Sequence, residues 1–238
     1  MNWLDRIGGF VFGQECMGCG CASEALDPWL CPSCRGELEK MSRAPHFPNG
    51  DVFCLFPMRP LTRNLIHALK YRSIPGMATY MVKRSCAMKG LAVHQEMALL
   101  PKPLYFVPIP LHPARLRERG YNQAEKIAGA LASACGGRVW RLFRRKTFVV
   151  SQTKLSKEGR EWNVAGAFEM VPQKRIPACG TVIVVDDVYT TGATTTSCLG
   201  ALGNDFPLPV KVCTLLYDEP ATAAADFAAD NRTAWDSL

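Results

Sequence analysis

No stretch of this 238-residue sequence approaches the roughly 20 apolar residues that a membrane-spanning helix needs, so we expect no membrane insertion. Low-complexity tracts and fixed-period repeats are also missing, which argues against a fibrous or solenoid protein. The first 14 residues are rich in apolar side chains, yet they include Asp5 and Arg6 and lack a cleavage site of small residues. We therefore expect no signal peptide and a cytoplasmic location.

The net charge of +7 is concentrated in the middle of the chain. Between His112 and Ala178, 14 Lys and Arg residues stand against 5 Asp and Glu residues, an excess of +9, whereas the remainder carries −2. Such a segment is typical of a protein with a polyanionic partner, either a polyphosphate or a nucleic acid. A solvated surface loop would explain the same charge, so both interpretations stay open.

The eleven cysteines fall into two groups. Six occur singly, as buried free thiols do in a reducing compartment: Cys54, Cys86, Cys135, Cys179, Cys198 and Cys213. The other five lie between residues 16 and 34 and include two C-x2-C turns. Two such turns can present four thiolates to one tetrahedral zinc ion.

We predict a structural zinc ribbon within residues 1–44, with the ligands Cys16, Cys19, Cys31 and Cys34. Cys21 competes with Cys19 for one position, and we favour Cys19 because it keeps the two-residue spacing. A four-thiolate site has no open position for a catalytic water. Its metal replaces the hydrophobic core that about 30 residues cannot build.

Residues 45–238 are predicted to form an α/β domain. Apolar runs predict strands at Val52–Phe56, Leu104–Ile109, Val182–Val185 and Val210–Leu216, and apolar residues at helical spacing predict helices at Leu61–Tyr71, Asn122–Ala134 and Thr194–Leu202. Strands that alternate with helices imply a doubly wound parallel sheet. Ligands of such sheets bind beyond the carboxyl ends of the strands.

The segment Val182–Thr194 has the features of a phosphate-binding loop in that position. Its apolar run ends in the adjacent acids Asp186 and Asp187, and the loop Thr190, Thr191, Gly192, Ala193 and Thr194 then opens a helix. Amides and hydroxyls at a helix N-terminus bind anions, and a glycine lets the backbone approach a phosphate.

Paired acids beside one phosphate cradle predict a ribose 5-phosphate site, because carboxylates accept hydrogen bonds from vicinal hydroxyls. The Gly-Lys-Ser/Thr sequence of a P-loop is absent. A plain strand with a polar helix cap would explain Thr-Thr-Gly, but it would not explain Asp186 and Asp187.

These residues resemble the phosphoribosyl pyrophosphate (PRPP) motif of type I phosphoribosyltransferases. The wider sequence resembles the ComF family of late-competence proteins, in which a zinc ribbon precedes a phosphoribosyltransferase-like domain. The motifs that carry this resemblance are the two cysteine turns, Leu69–Tyr71, Pro108–Pro110, Arg119–Gln123 and Asn163–Phe168. The resemblance spans nearly the whole chain and implies a parallel sheet of the type I phosphoribosyltransferase kind.

The resemblance implies a role for each candidate residue. Asp186 and Asp187 would hold the ribose hydroxyls, Thr190–Thr194 would surround the 5′-phosphate, and Asp187 is a weaker candidate for proton transfer. Lys70, Arg115 and Arg119 would bind the pyrophosphate, with Arg117 in the same loop, and Mg²⁺ would accompany PRPP. Residues 144–160 resemble a flexible catalytic hood. All these basic residues have surface charge as their simpler interpretation.

Two functions of different classes follow. In the first, the protein is a phosphoribosyltransferase of DNA uptake with an unknown acceptor and pyrophosphate release. In the second, it is a non-catalytic adaptor that binds PRPP, single-stranded DNA and other competence proteins. The two acids favour the first, because a bare binding module would not need both. The ribbon and the basic middle segment favour the second.

Overall fold

A six-stranded sheet forms the centre of the molecule, and the computed structural model describes residues 14–41, 46–49, 51–87, 92–146, 166–172 and 176–218. The strands are β1 (Gln14–Glu15), β2 (Ala22–Ser23), β3 (His46–Asn49), β4 (Val52–Pro57), β5 (Leu104–Pro108), β6 (Arg138–Val139), β7 (Phe143–Arg145), β8 (Phe168–Met170), β9 (Thr181–Tyr189) and β10 (Val210–Tyr217). The helices are α1 (Pro32–Met41), α2 (Pro60–Tyr71), α3 (Gly76–Ala87), α4 (Ala92–Leu99), α5 (Pro113–Arg119), α6 (Gln123–Cys135) and α7 (Ala193–Gly200).

The strand order in the sheet is β3-β4-β10-β9-β5-β6. Strands β4, β10, β9, β5 and β6 are parallel, and β3 adds an antiparallel edge to β4. Two small antiparallel pairs, β1 with β2 and β7 with β8, lie outside this sheet. Strands β5 and β9 are adjacent and parallel. Their carboxyl ends therefore lie at the same edge of the sheet.

Side chains of the central strands alternate between two hydrophobic cores. On β9, Ile183 and Val185 face a core that contains residues of α2, α3, α4 and α6, while Val182 and Val184 face a second core with α7 and the β7–β8 hairpin. Burial on both faces explains the unbroken apolar run of β9, since a parallel strand covered on both sides has no solvated face. The predicted doubly wound parallel sheet is confirmed.

Local sequence explains where α2 and α6 begin. Pro60 occupies the first turn of α2, and the Thr62 hydroxyl accepts a hydrogen bond from the backbone N–H of Arg59 at 2.9 Å. The Asn122 side chain caps α6 by accepting from the N–H of Ala124 at 3.1 Å, and Gly136 ends this helix in the left-handed region at φ 72°. Both helices lie within one residue of their predicted bounds.

The cysteine module, residues 14–41, packs directly on α2. Leu30 and Leu38 are fully buried in the same core as Leu61 and Leu65 of α2. Gly18 allows a close approach, because an added Cβ there would lie 2.5 Å from Leu61 Cδ1 and 2.9 Å from Cys34 Sγ. The module therefore continues the core of the sheet domain instead of enclosing a core of its own.

Polar and aromatic contacts fix the same interface at α3. Asp27 accepts hydrogen bonds from Arg84 at 2.6 Å and from Arg35 at 2.9 Å. The Trp29 ring meets Tyr80 edge-to-face at 5.5 Å between centroids. The predicted boundary after residue 44 lies in 42–45, outside the described residues, and stays a prediction.

Several elements were not predicted from the sequence: β1, β2, β3, β6, α1, α3, α4, α5 and the antiparallel pair β7 and β8. The N-terminal segment 1–13, residues 147–160 of the predicted hood and the following residues 161–165 lie outside the described part of the chain. Among the residues that are described, no helix combines the length and apolar character required to span a membrane.

Replacing Leu30 with Ala tests whether the module and the sheet form one cooperative unit. We expect a loss of about 2–5 kcal/mol in the free energy of unfolding, because a fully buried leucine leaves a cavity. Urea denaturation followed by fluorescence and circular dichroism should show one coincident transition. Leu99→Ala is the matched control, since Leu99 is 80% exposed. A separate early transition for the module would contradict the shared core.

Candidate substrate and metal sites

The paired acids lie in the second half of β9, because this strand continues past its predicted end at Val185 to Tyr189. Asp186 and Asp187 are both half-buried, and Asp186 Oδ1 accepts a hydrogen bond from the backbone N–H of Asp187 at 2.8 Å. Ile109, just beyond β5, donates its N–H to the carbonyl of Val185 at 2.9 Å. The acids therefore lie just past the carboxyl end of β5, at the edge of the sheet where open α/β sheets bind their ligands.

Burial and the neighbouring acid change the ionisation of this pair. Removal from water, followed by the negative charge of Asp187, raises the pKa of Asp186 to about 7. Both effects disfavour a second negative charge in the crevice. Asp186 is therefore protonated more readily than an exposed carboxyl group, and its protonated form can donate a hydrogen bond to a hydroxyl group as well as accept one.

Lys70 is a direct partner of the acid pair. Its Nζ donates to Asp187 Oδ1 at 2.9 Å, with the lysine side chain 21% exposed and the aspartate side chain 16% exposed. The sequence assigned Lys70 to pyrophosphate, and the structure places it beside the predicted ribose-binding acid. An ion pair shielded from bulk water is weakened less by salt than a surface pair.

The loop after β9 has the backbone that a phosphate cradle requires. Gly192 has φ 77° and begins α7, and an added Cβ would lie 2.6 Å from Tyr189 Oη. Another side chain at this position would therefore be strained and would collide with the tyrosine. Thr190 and Thr191, in the loop between β9 and α7, are exposed to solvent. The first turn of α7 supplies backbone N–H groups that have no carbonyl partner within the helix.

The predicted pyrophosphate loop reaches the end of α2 through Arg119. Its guanidinium carbon lies 4.9 Å from the Tyr71 ring centroid, and its NH2 group donates to the Tyr71 hydroxyl at 3.3 Å. The Tyr121 hydroxyl donates to the carbonyl of Leu69. Residues on both sides of Lys70 thus contact the 119–121 segment.

Arg115, the other predicted pyrophosphate ligand of this loop, has a different partner. It forms an exposed ion pair with Glu118 at 3.3 Å within α5. A surface pair of this kind contributes little to stability, so Arg115 can exchange Glu118 for another anion at small cost. Its predicted role, like those of Lys70 and Arg119 at pyrophosphate, stays a prediction.

Four cysteines of the N-terminal module form a cluster that fits a structural zinc site. The Sγ atoms of Cys16, Cys19, Cys21 and Cys31 all lie within 4.8 Å of one another. The Cys16 sulfur also accepts backbone N–H groups from Gly18 at 3.4 Å and from Cys31 at 3.3 Å. Thiolate donors, amide support and closed packing together suit Zn²⁺.

Sulfur spacing bears on the choice between Cys19 and Cys21. Two thiolates on one zinc ion lie about 3.8 Å apart, since each Zn–S bond is about 2.3 Å. The Cys19 and Cys31 sulfurs are 3.9 Å apart, whereas those of Cys19 and Cys21 are only 3.2 Å apart. Cys19 and Cys21 therefore suit one ligand position as alternatives. The fourth predicted ligand, Cys34, is buried beside this cluster.

Thiol ionisation differs within the module. The Cys21 amide, followed by the Cys21 thiol, lowers the pKa of Cys19 to about 6. The hydrogen bond between the Cys19 and Cys21 thiols raises the pKa of Cys21 to about 12. Burial raises the pKa of Cys34, while the Cys34 amide lowers that of Cys31. The module thus favours thiolates, the form that binds metal, at Cys19 and Cys31.

Four residues that shape the site had no assigned role in the sequence. Tyr71 and Tyr121 join the pyrophosphate loop to α2, Asn122 donates to the carbonyl of Ile109 at 2.9 Å, and Tyr189 packs against Gly192. Three of them lie in motifs already noted, Leu69–Tyr71 and Arg119–Gln123. Their place in these motifs was the signal that could have drawn attention to them. The residues that they contact could not be predicted, because those residues are distant in sequence.

Fold and site together define a doubly wound α/β protein with an N-terminal cysteine module. Competence protein F of Haemophilus influenzae is 32% identical over 96 residues, which cover 40% of this chain and 42% of that protein. DNA utilization protein YhgH of Salmonella typhi is 29% identical over 133 residues, which cover 55% and 56%. These relatives confirm the resemblance to the ComF family. The chain spans about half the length of the curated relatives it matches.

Two further comparisons complete this picture. No protein-family model matches the chain. The crystal structure of adenine phosphoribosyltransferase from Saccharomyces cerevisiae aligns with a TM-score of 0.37 and 16% identity, over 79% of this chain and 89% of that one. Similarity at this level carries no argument about activity, which has to come from the site itself.

Metal analysis of cysteine variants tests the ligand set. We expect one zinc per wild-type chain, loss of zinc in Cys31→Ser and Cys34→Ser, and full retention in Cys21→Ser, because Cys19 keeps the two-residue turn. Cys179→Ser is the matched control, since Cys179 is exposed and lies outside the module. Elemental analysis by mass spectrometry measures the ratio. Zinc lost from Cys21→Ser but kept in Cys34→Ser would assign the site to Cys16, Cys19, Cys21 and Cys31.

Proposed function

We propose that this protein binds PRPP with Mg²⁺ and transfers its phosphoribosyl group to an acceptor, releasing pyrophosphate, as part of DNA uptake. The observation that carries the proposal is the position of Asp186 and Asp187 in the second half of β9, the strand that leads through a short loop to Gly192 and α7. A diol-binding acid pair and an anion-binding helix start are thereby separated by only a short loop. That combination matches the hydroxyls and 5′-phosphate of a ribose 5-phosphate group.

The opposite end of PRPP is a diphosphate, which calls for forked or multiple N–H donors. Lys70 lies at Asp187, and Arg119 lies over the neighbouring Tyr71. Both cations therefore lie at the carboxyl-terminal end of α2. Donors placed in advance around a leaving group stabilise the charge that develops on it, which is the usual electrostatic source of rate.

In the proposed reaction, the bond between ribose C1 and the pyrophosphate oxygen breaks, and its electron pair leaves with pyrophosphate. A lone pair of the acceptor forms the new bond to C1, and the acceptor gives up a proton. Negative charge on Asp186 and Asp187 favours the positive charge that builds on the ribose ring. Asp187 has its Oδ1 engaged by Lys70, so its second oxygen is the candidate proton acceptor.

Mg²⁺ bound with PRPP supplies charge neutralisation for the diphosphate, and the acid pair has the hard oxygen donors that this ion prefers. The cytoplasmic location belongs to the same proposal. It is supported by eleven free cysteines, because thiols persist unpaired in reducing compartments.

Isothermal titration with PRPP and Mg²⁺ tests the binding step. We expect wild-type protein to bind and to gain about 2.7 kcal/mol of stability at a ligand concentration of 100 Kd. Combining Asp186→Asn with Asp187→Asn should abolish both effects without unfolding the protein, because neutral amides hold the ribose hydroxyls less strongly. Turnover is tested separately by pyrophosphate release, screened across bases, nucleotides and DNA.

Asp205→Asn serves as the matched control, because Asp205 is exposed and lies beyond α7. This variant should bind PRPP as the wild type does. Unchanged PRPP affinity in the Asp186/Asp187 double variant would refute the ribose assignment.

A second candidate function is the binding of single-stranded DNA without any transferase reaction. Two observations favour it: the names of the two relatives, and the exposed basic residues Arg144 and Lys146 on the β7 strand and just after it. Arg144 pairs with Glu169 at 2.7 Å, and Arg145 lies over Phe168 at 5.2 Å. Arg144 and Arg145 are thus each held by a residue of β8.

Fluorescence anisotropy with a strand of about 20 nucleotides tests this alternative. We expect affinity to fall with salt at a log–log slope of about 0.7 per phosphate contact. Replacing Arg144, Arg145 and Lys146 with Ala should flatten the slope and weaken all sequences alike. Lys83→Ala is the control, since Lys83 is exposed on α3. If the triple variant binds like the wild type, the basic excess does not serve DNA.

A further inference from the structure

Lys70 lies between two parts of the proposed PRPP site. Its Nζ contacts Asp187 Oδ1 at 2.9 Å on the ribose side. Its neighbours Leu69 and Tyr71 contact Tyr121 and Arg119, which belong to the segment proposed to bind the diphosphate. The backbone at Lys70 therefore lies at the border between the proposed ribose and diphosphate regions. Its flexible side chain can pair with an anion in either region.

The contact with Asp187 conflicts with ribose binding at the same atom. A carboxylate oxygen that receives a lysine N–H at 2.9 Å has less capacity for a ribose hydroxyl, because each oxygen has only two acceptor sites. A ligand that binds the acid pair therefore has to displace or share Lys70. The lysine stem has four rotatable carbons, so the ammonium can move several ångströms without moving α2.

Displacement leaves a half-buried ammonium without its anion, and an unpaired charge that is partly shielded from water is costly. The diphosphate of PRPP supplies such an anion beside Arg119. Ribose 5-phosphate lacks that group, so it displaces Lys70 without offering a replacement partner. The two ligands therefore differ in how well they compensate the loss of the same ion pair.

We propose that Lys70 has two positions, paired with Asp187 when PRPP is absent and with the diphosphate when PRPP is bound. This exchange makes the site selective for PRPP over ribose 5-phosphate. The inference rests on the proposed PRPP binding and assigns Lys70 as a specificity-determining residue. Lys70 acts in the empty site by occupying the ribose-binding oxygen, which excludes ligands that lack the second anionic group.

Titration calorimetry of Lys70→Met with two ligands tests the exchange. We expect PRPP affinity to fall at least about tenfold, because one diphosphate partner is lost. Ribose 5-phosphate affinity should stay unchanged or rise, because its competitor for Asp187 is gone. Lys83→Met, exposed on α3, is the matched control and should change neither affinity. Equal losses for both ligands, or no loss for PRPP, would overturn the two-position role.

Inorganic pyrophosphate gives an independent readout that does not require the ribose contacts. In Asp187→Asn the ammonium is released, so pyrophosphate should bind more tightly than it does to the wild type. That gain should disappear when Lys70→Met is added to Asp187→Asn. A gain that persists in the double variant would place the effect elsewhere and contradict the exchange. Thermal melts of each variant confirm that it is folded before its affinity is compared.

These outcomes separate the inference from the proposed function. Wild-type protein that binds neither PRPP nor ribose 5-phosphate would refute the proposed function, and the exchange with it. Wild-type protein that binds PRPP, together with parallel losses in Lys70→Met, would keep the proposed function and refute only the exchange.

Discussion

Helix α2 is held from two sides, and the rest of the site depends on that constraint. On one side, Gly18 of the cysteine module accepts a hydrogen bond from Asn64 at 2.6 Å and packs against Leu61. On the other side, Lys70 reaches Asp187 across the crevice. Because a helix is stiff, its two ends cannot be positioned independently. The module therefore helps to determine where the cation stands relative to the acids.

The acid pair shows why such a cation is needed. Two carboxylates at the end of a buried strand repel each other and lose hydration, and both effects raise the pKa of Asp186. The nearby Lys70 ammonium offsets this repulsion. Its effect is strong because charges that are partly shielded from water interact in a lower dielectric. A fold that stabilised only itself would place an apolar or amide residue at this strand end. The retained charge points to a ligand that uses it.

Much of this arrangement was predictable from sequence, and the remainder has a physical reason. The apolar run Val182–Val185 and the turn chemistry at Gly192 are local, so they indicated the strand and the helix start, although β9 continues through both acids to Tyr189. The Lys70–Asp187 pair joins residues 117 positions apart, and sequence spacing contains no information on such a contact. Helix α3 also went unpredicted, because its buried residues are mainly Met, Ala and Tyr, which give a weak amphipathic pattern.

The cysteine module looks like a separate unit in sequence, but its packing makes it part of the sheet domain. A chain segment this short buries too little apolar surface for independent stability. Here Leu30 and Leu38 instead enter the core of α2, and Asp27 engages Arg84 of α3. Metal binding would then fix the loop that carries Leu30, while the leucine covers α2. The surface that faces α2 is consequently occupied by the protein itself, so any partner of the module has to approach from the exposed side of Cys19 and Cys21.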